Sequence, residues 1–273
     1  MTTVRELIDQ NAATQPDKAF LVAPECGAAM SYAQLKYHVR DINARLDALH
    51  VPPGAKVALL LPNGYWTTAL LLGVIYSGRV VVPLNAVSGD AALSYVIEHS
   101  DTRVVLVDEQ LAGKFSGVLA DLPAGVRLIP TDVDQGPQWP VGADGSAPLL
   151  PLAIDDAAIL MYTSGTTGRP KGVLLSHGNA VAGGRNTATG HGLDADDRAL
   201  CVLPLYHINA QMVTVMAPLV TGGSVVMPHR FSPSTFWALI ADQACTWFSV
   251  VPTIIAYLLE HAEREGFDRK ALG

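Results

Sequence analysis

The chain is 273 residues long, 49% hydrophobic and only 16% charged, with a formal net charge of -7. That composition supplies a packed core and excludes a disordered tail or a coiled coil. No run of lysine or arginine is present, so the basic stripe that a nucleic-acid surface needs is missing.

Residues 4–11 predict an opening amphipathic helix, and Gln15-Pro16-Asp17-Lys18 a turn. The start carries acidic residues and no apolar h-region, so no signal peptide is read. A short strand at 19–23 precedes a helix running to about His50. Ser31 is its expected N-cap and Gln34 closes a capping box; Leu35, His38, Ile42 and Leu46 recur at helical spacing. Strands at 57–61, 80–84 and 104–107 alternate with helices at 65–76 and 91–99. These strands are apolar throughout, which predicts a mostly parallel sheet covered on both faces, an α/β fold. Residues 131–151, rich in Pro, Gly and Asp, read as a long surface connection and a candidate subdomain boundary.

Beyond it come a strand ending at Tyr162, a strand at 173–175 and a helix starting near Ser176-His177, where His177 reads as a capping residue. Then follow a strand at 197–203, a helix at 211–221, a strand at 224–227, a helix at 233–244, a strand at 247–251 and a helix at 252–265. Two uncharged runs, 57–78 and 199–228, are interrupted by Pro62-Asn63-Gly64 and by Pro204, Pro218 and Gly222-Gly223. A membrane-spanning helix needs about 20 unbroken apolar residues, so both runs read as buried core. Cys26, Cys201 and Cys245 are far apart and show neither a disulfide framework nor metal-ligand spacing. The expectation is a cytoplasmic protein in a reducing compartment.

The chemistry concentrates in Tyr162-Thr-Ser-Gly-Thr-Thr-Gly-Arg-Pro-Lys-Gly-Val173. Glycines let a backbone approach a ligand closely, and successive N–H groups in such a turn form a concave anion site. The hydroxyls of Thr163, Ser164, Thr166 and Thr167 add neutral donors, and Lys171 adds a mobile charge suited to phosphate. Held between two buried strands, such a loop suits a polyphosphate. The plain alternative is a surface hairpin. Neither the Walker pattern nor the dinucleotide fingerprint fits the spacing.

This stretch resembles the signature of the adenylate-forming (AMP-binding) superfamily, which holds acyl-CoA synthetases, luciferases and peptide-synthetase adenylation domains. Four further segments in the same order strengthen the resemblance: Ser31-Tyr32-Ala33-Gln34-Leu35, Val57 to Asn63, Tyr76 to Asn85, and Leu203-Pro204-Leu205-Tyr206-His207. The last is similar to the aromatic-His segment of the CoA-ligase branch, so a peptide-synthetase domain ranks low. By this resemblance residues 1–273 form part of the large N-terminal domain, with mostly parallel sheets flanked by helices.

The resemblance implies that ATP activates a carboxylic acid to acyl-AMP, and that CoA then displaces AMP. Thr163, Ser164, Gly165, Thr166, Thr167, Gly168 and Lys171 would hold the β- and γ-phosphates, and Mg2+ would travel with the nucleotide. No protein metal site is expected. His207 would act beside the acyl carboxylate and the α-phosphate, with Tyr206, Asn209 and Val251 lining the acid site. Asn209 and Gln211 fit the first polar turn of a helix equally well, and Val251-Pro252 a strand entering a helix. The family pattern continues past Gly273 into adenine- and ribose-contacting segments and a C-terminal domain with its lysine. The chain therefore reads as the first part of a ligase, inactive alone. Fatty, aryl and small dicarboxylic acids stay open, a homodimer is a candidate assembly, and the competing class is a non-catalytic nucleotide- or acyl-binding module.

Overall fold

The computed structural model describes residues 2–140, 148–163 and 169–265. The chain opens with α1 (Val4–Thr14), capped by Thr3 with Glu6 in a capping box. Antiparallel β1 (Ala19–Ala23) and β2 (Ala28–Ser31) follow, then α2 (Tyr32–Ala48). Ser31 accepts from the Gln34 N–H and the Gln34 side chain accepts from the Ser31 N–H, the expected reciprocal box. Alternation then builds β3 (Lys56–Leu60), α3 (Tyr65–Tyr76), β4 (Val80–Pro83), α4 (Asp90–His99) and β5 (Thr102–Val107).

Sequence patterning did not reveal the next elements: α5 (Glu109–Lys114), α6 (Ser116–Ala120), β6 (Arg127–Asp132) and β7 (Gly136–Pro137). Part of the 131–151 connection is therefore sheet, because β7 folds back antiparallel on β6. Residues 141–147 lie outside the described residues. The remainder comprises β8 (Ala157–Thr163), β9 (Lys171–Ser176), α7 (His177–His191), β10 (Arg198–Leu200), α8 (Ala217–Thr221), β11 (Ser224–Val226), α9 (Pro233–Asp242), β12 (Trp247–Phe248) and α10 (Pro252–Arg264). A π-helical turn, Ala210–Met216, leads into α8 where a plain helix is predicted.

Among the described residues two sheets result, in strand orders β7-β6-β5-β3-β4-β8-β9 and β12-β10-β11-β1-β2. Pairing is parallel in the middle of each and antiparallel at β6–β7, β8–β9 and β1–β2. Unbroken apolar strands are explained by burial on both faces: Val57 and Leu59 of β3 belong to one core, Ala58 and Leu60 to the other. The second core is closed by α4, α5 and α6 through residues such as Leu93, Ile97, Phe115 and Leu119. In the first core α3 touches β1 of one sheet and β3 and β4 of the other.

One expectation about the loop strands is corrected. β9 is the outer strand of its sheet, and Val173 and Leu174 are 44% and 57% exposed. Apolar residues on an edge strand are compatible with solvent on one side, and the run Val173-Leu174-Leu175 does not by itself distinguish the two situations.

His177 also departs from its expected role. Ser176 is the N-cap of α7, with Asn179 completing the box. The His177 ring is fully buried, and its Nδ1 accepts from the Val4 N–H at 3.4 Å, thereby satisfying a free donor at the start of α1. Burial first, and then the Arg5 charge, push its pKa down from 6.5 to about 4.

A ring held neutral in the fold and protonated more readily in the unfolded chain stabilises the protein above pH 6.5. That stability is lost as pH falls from 6.5 towards 4, by up to about 3 kcal/mol. Urea unfolding of wild type and His177→Gln across this window is expected to show their stability difference shrinking by that order; parallel profiles would overturn it. A second test concerns α7. A methyl group at Gly184 would meet the Met216 carbonyl oxygen at 2.6 Å, whereas one at Gly190 would meet nothing within 4 Å. Gly184→Ala is expected to destabilise by about 1–3 kcal/mol, and Gly190→Ala to stabilise by up to about 1 kcal/mol, read from the same denaturation midpoints.

Candidate active site

Parallel strands deliver their carboxyl ends to one side of a sheet, and ligands in open α/β folds bind in the crevice there. Here a cavity of about 570 Å³ lies beyond the ends of β4 and β8. Its wall takes Asn85 and Ser88 from the segment after β4, Tyr162 and Thr163 from the end of β8, and Tyr206 and His207 from the segment after β10. Residues from both sheets therefore meet at one opening.

Thr163 pairs with Lys171 across the β8–β9 ladder. The ladder thus fixes both ends of the intervening loop, with a hydroxyl on one side and an ammonium-bearing side chain on the other. Ser164, Gly165, Thr166, Thr167 and Gly168, the centre of the expected phosphate cradle, lie outside the described residues. Tyr162 packs its hydroxyl against His99 Nδ1 at 2.8 Å. Burial pushes that phenol up to about 12, so it stays protonated and can serve as a donor.

The Tyr206–His207 pair sits on a turn in which the His207 N–H donates to the Pro204 carbonyl at 2.9 Å. The two rings lie 4.7 Å apart and tilted by 58°. His207 is exposed to the cavity while Tyr206 is half-buried. Partial burial lowers the His207 pKa below 6.5 and raises that of Tyr206 above 10. Near neutral pH the imidazole is therefore uncharged, with one nitrogen donating and the other accepting, and the phenol is a donor. Such a pair can orient an anionic ligand through hydrogen bonds without contributing a fixed charge.

The other expected site residues are placed differently. Asn209 Oδ1 accepts from the Ser249 hydroxyl at 3.0 Å, and Val251 is the residue before α10; neither lines the cavity with His207. Gln211 is 1% exposed and turned inward, with Nε2 donating to the Leu205 carbonyl at 2.5 Å. It is a support for the turn rather than a wall of the pocket. Asn85 and Ser88 were not among the expected site residues. The available signal was a polar residue directly after an apolar parallel strand, where such folds place binding groups. On the far side of Tyr206 a second cavity of about 430 Å³ opens between Asn63, Asp108 and Arg230. Among the described residues no group of three or more His, Cys, Asp or Glu side chains converges as a metal site, and no helix is long and apolar enough to cross a membrane.

Comparison with known proteins bears on the family and the fold. Residues 8–273 match the model of the AMP-binding enzyme family. The chain is 46% identical over 259 residues to a sulfoacetate–CoA ligase of Cupriavidus necator, covering 94% of this chain and 51% of that protein. It is 33% identical over 252 residues to a feruloyl-CoA synthase of an Amycolatopsis species, covering 90% and 48%. Among solved structures, the inhibitor-bound N-terminal domain of FACL13 from Mycobacterium tuberculosis superposes with a TM-score of 0.84 at 25% identity, over 98% of this chain and 67% of that one. The chain spans about half the length of the curated relatives it matches. By its sequence over residues 8–273 and by its fold, the chain belongs to the AMP-binding enzyme family.

Proposed function

We propose that this chain carries the triphosphate- and acid-binding portion of an AMP-forming acid–CoA ligase. The observation that carries the reading is the convergence of Thr163, at the base of the hydroxyl- and glycine-rich loop, with Tyr206 and His207 on one cavity. In this reading the loop and Lys171 hold the β- and γ-phosphates. The acid lies beside His207 with a carboxylate oxygen directed at the α-phosphorus. That oxygen forms a P–O bond as the bond to pyrophosphate breaks, giving acyl-AMP. The CoA thiolate then attacks the acyl carbon and AMP leaves. Two like-charged groups must be brought together in the first step, so positioning and hydrogen bonding are the protein's main contributions. The neutral His207 ring and the Tyr206 hydroxyl are suited to hold the carboxylate without trapping it as a full ion pair. In the same reading Mg2+ arrives bound to the phosphates of ATP.

The acid itself is read from relatives. Identity of 46% to a sulfoacetate–CoA ligase makes a short acid with a second anionic group the first choice. In acid-dependent exchange of pyrophosphate into ATP by the complete protein, sulfoacetate is expected to give a higher kcat/KM than ferulate or a fatty acid. A preference for either of the latter would replace this reading of the acid.

The loop assignment has its own test. Lys171→Ala and Thr166→Ala are each expected to lower exchange on the order of 100-fold, the scale seen when a preorganised donor to developing charge is removed. Exchange unchanged in both would sink the loop assignment, whereas ATP binding with no exchange in the unsubstituted protein would favour a binding module.

A further inference from the structure

The turn bearing Tyr206 and His207 is not held by its own sheet alone. Its backbone is gripped from behind by two buried side-chain amides that no step of the reaction uses. Asn63, 4% exposed, belongs to the turn after β3 in the seven-stranded sheet. Its Nδ2 donates to the Leu203 carbonyl at 3.0 Å, and its Oδ1 accepts from the Leu205 N–H at 2.9 Å. The amide spans Pro204, which has no N–H to offer, and thereby pairs with the chain as a neighbouring strand would.

Gln211, in the π-helical turn, donates its Nε2 to the Leu205 carbonyl at 2.5 Å. Both backbone groups of Leu205, the residue immediately before Tyr206, are thus fixed by amides anchored elsewhere. The Asn63 turn is itself tied down: the Thr67 hydroxyl donates to the Pro62 carbonyl at 2.6 Å, and the Thr68 hydroxyl to the Gly64 carbonyl at 3.0 Å. A side-chain amide that joined the two sheets only for stability could sit anywhere along their contact. This one meets the chain at Leu205, directly before the cavity-lining ring pair.

We propose that Asn63 and Gln211 are positioning residues, which hold the Tyr206–His207 turn of one sheet in register with the Thr163 end of β8 in the other. The inference rests on the reading of His207 as a group that meets the acid during adenylation. Its chemical content is geometric: neither amide touches substrate, and each acts through where it puts the imidazole. Displacement of a reacting group by about 1 Å costs on the order of 100-fold in rate, so loosening this turn reduces turnover more than ATP affinity.

A double-mutant cycle in the complete protein tests it, comparing wild type, Asn63→Ala, His207→Ala and the double variant by acid-dependent pyrophosphate exchange. Asn63→Ala is expected to lower kcat about 30-fold while the KM for ATP stays within about twofold, and to lower it by less than about twofold when His207 is already alanine. Losses that multiply in full would overturn the positioning role and leave the site reading standing. A thermal destabilisation with kcat unchanged would overturn it as well. Should His207→Ala alone leave exchange unchanged, the site reading fails and the positioning role falls with it. If Asn63→Ala does not fold, Gln211→Met, which keeps the side-chain volume and removes the donor to Leu205, carries the same cycle with the same two outcomes.

Discussion

A helix without a solvent face dictates much of this architecture. Eleven of the twelve residues of α3 are buried, and it touches strands of both sheets. A segment such as Ala69-Leu-Leu-Leu-Gly-Val-Ile75 has no polar stripe to offer water, so it needs cover on every side. Each of its large aliphatic side chains contributes roughly 1.5–3 kcal/mol on burial. Its few polar residues do not oppose this, because Thr67 and Thr68 return their hydroxyls to carbonyls one turn back. The two sheets are apolar on the faces turned towards it, and the α/β alternation follows from having to cover those strands again on the outside.

Placing sheets on either side of shared helices has a functional result. Carboxyl ends of strands from both sheets border the same opening, so a residue from each can meet one ligand. Thr163 arrives from the seven-stranded sheet and His207 from the five-stranded one. Neither sheet alone would form the site, and the contact between them must be defined to a fraction of an ångström. Hydrophobic packing is poorly directional, whereas paired amide hydrogen bonds such as those of Asn63 have both distance and angle preferences.

The regular parts of this molecule were legible because two-sided burial writes itself plainly. The helix at 65–76 and the capping box at Ser31 and Gln34 agree with the structure, since unbroken hydrophobicity and side-chain capping are local signals. Short α5 and α6, and the β6–β7 hairpin, carried too little periodicity to stand out between Val107 and Trp139. β9 was misjudged because an exposed edge strand and a buried one can share the same three-residue apolar run. Of the candidate site, Thr163, Tyr206 and His207 were visible as motif residues, and they line one cavity. The supporting role of Asn63 was not, because Asn63 and Leu205 lie more than a hundred residues apart and no short-range pattern couples them. His177 likewise looked like a cap for its own helix and instead satisfies a donor of α1.

The pairing of β1 with β11 joins Leu21 to Val225 and Val22 to Val226, partners separated by most of the chain. As the polypeptide leaves the ribosome, β3, β4 and β5 can pair as soon as the helices between them have been made. The β1–β2 hairpin, by contrast, must wait for nearly two hundred further residues before its parallel neighbour exists. Closing so large a loop is entropically unfavourable and slow relative to local pairing. The five-stranded sheet is therefore completed only after residues 224–248 have been made, and until then an apolar strand edge in β1 remains open to other chains. That interval is when a chaperone would be of most use to this protein.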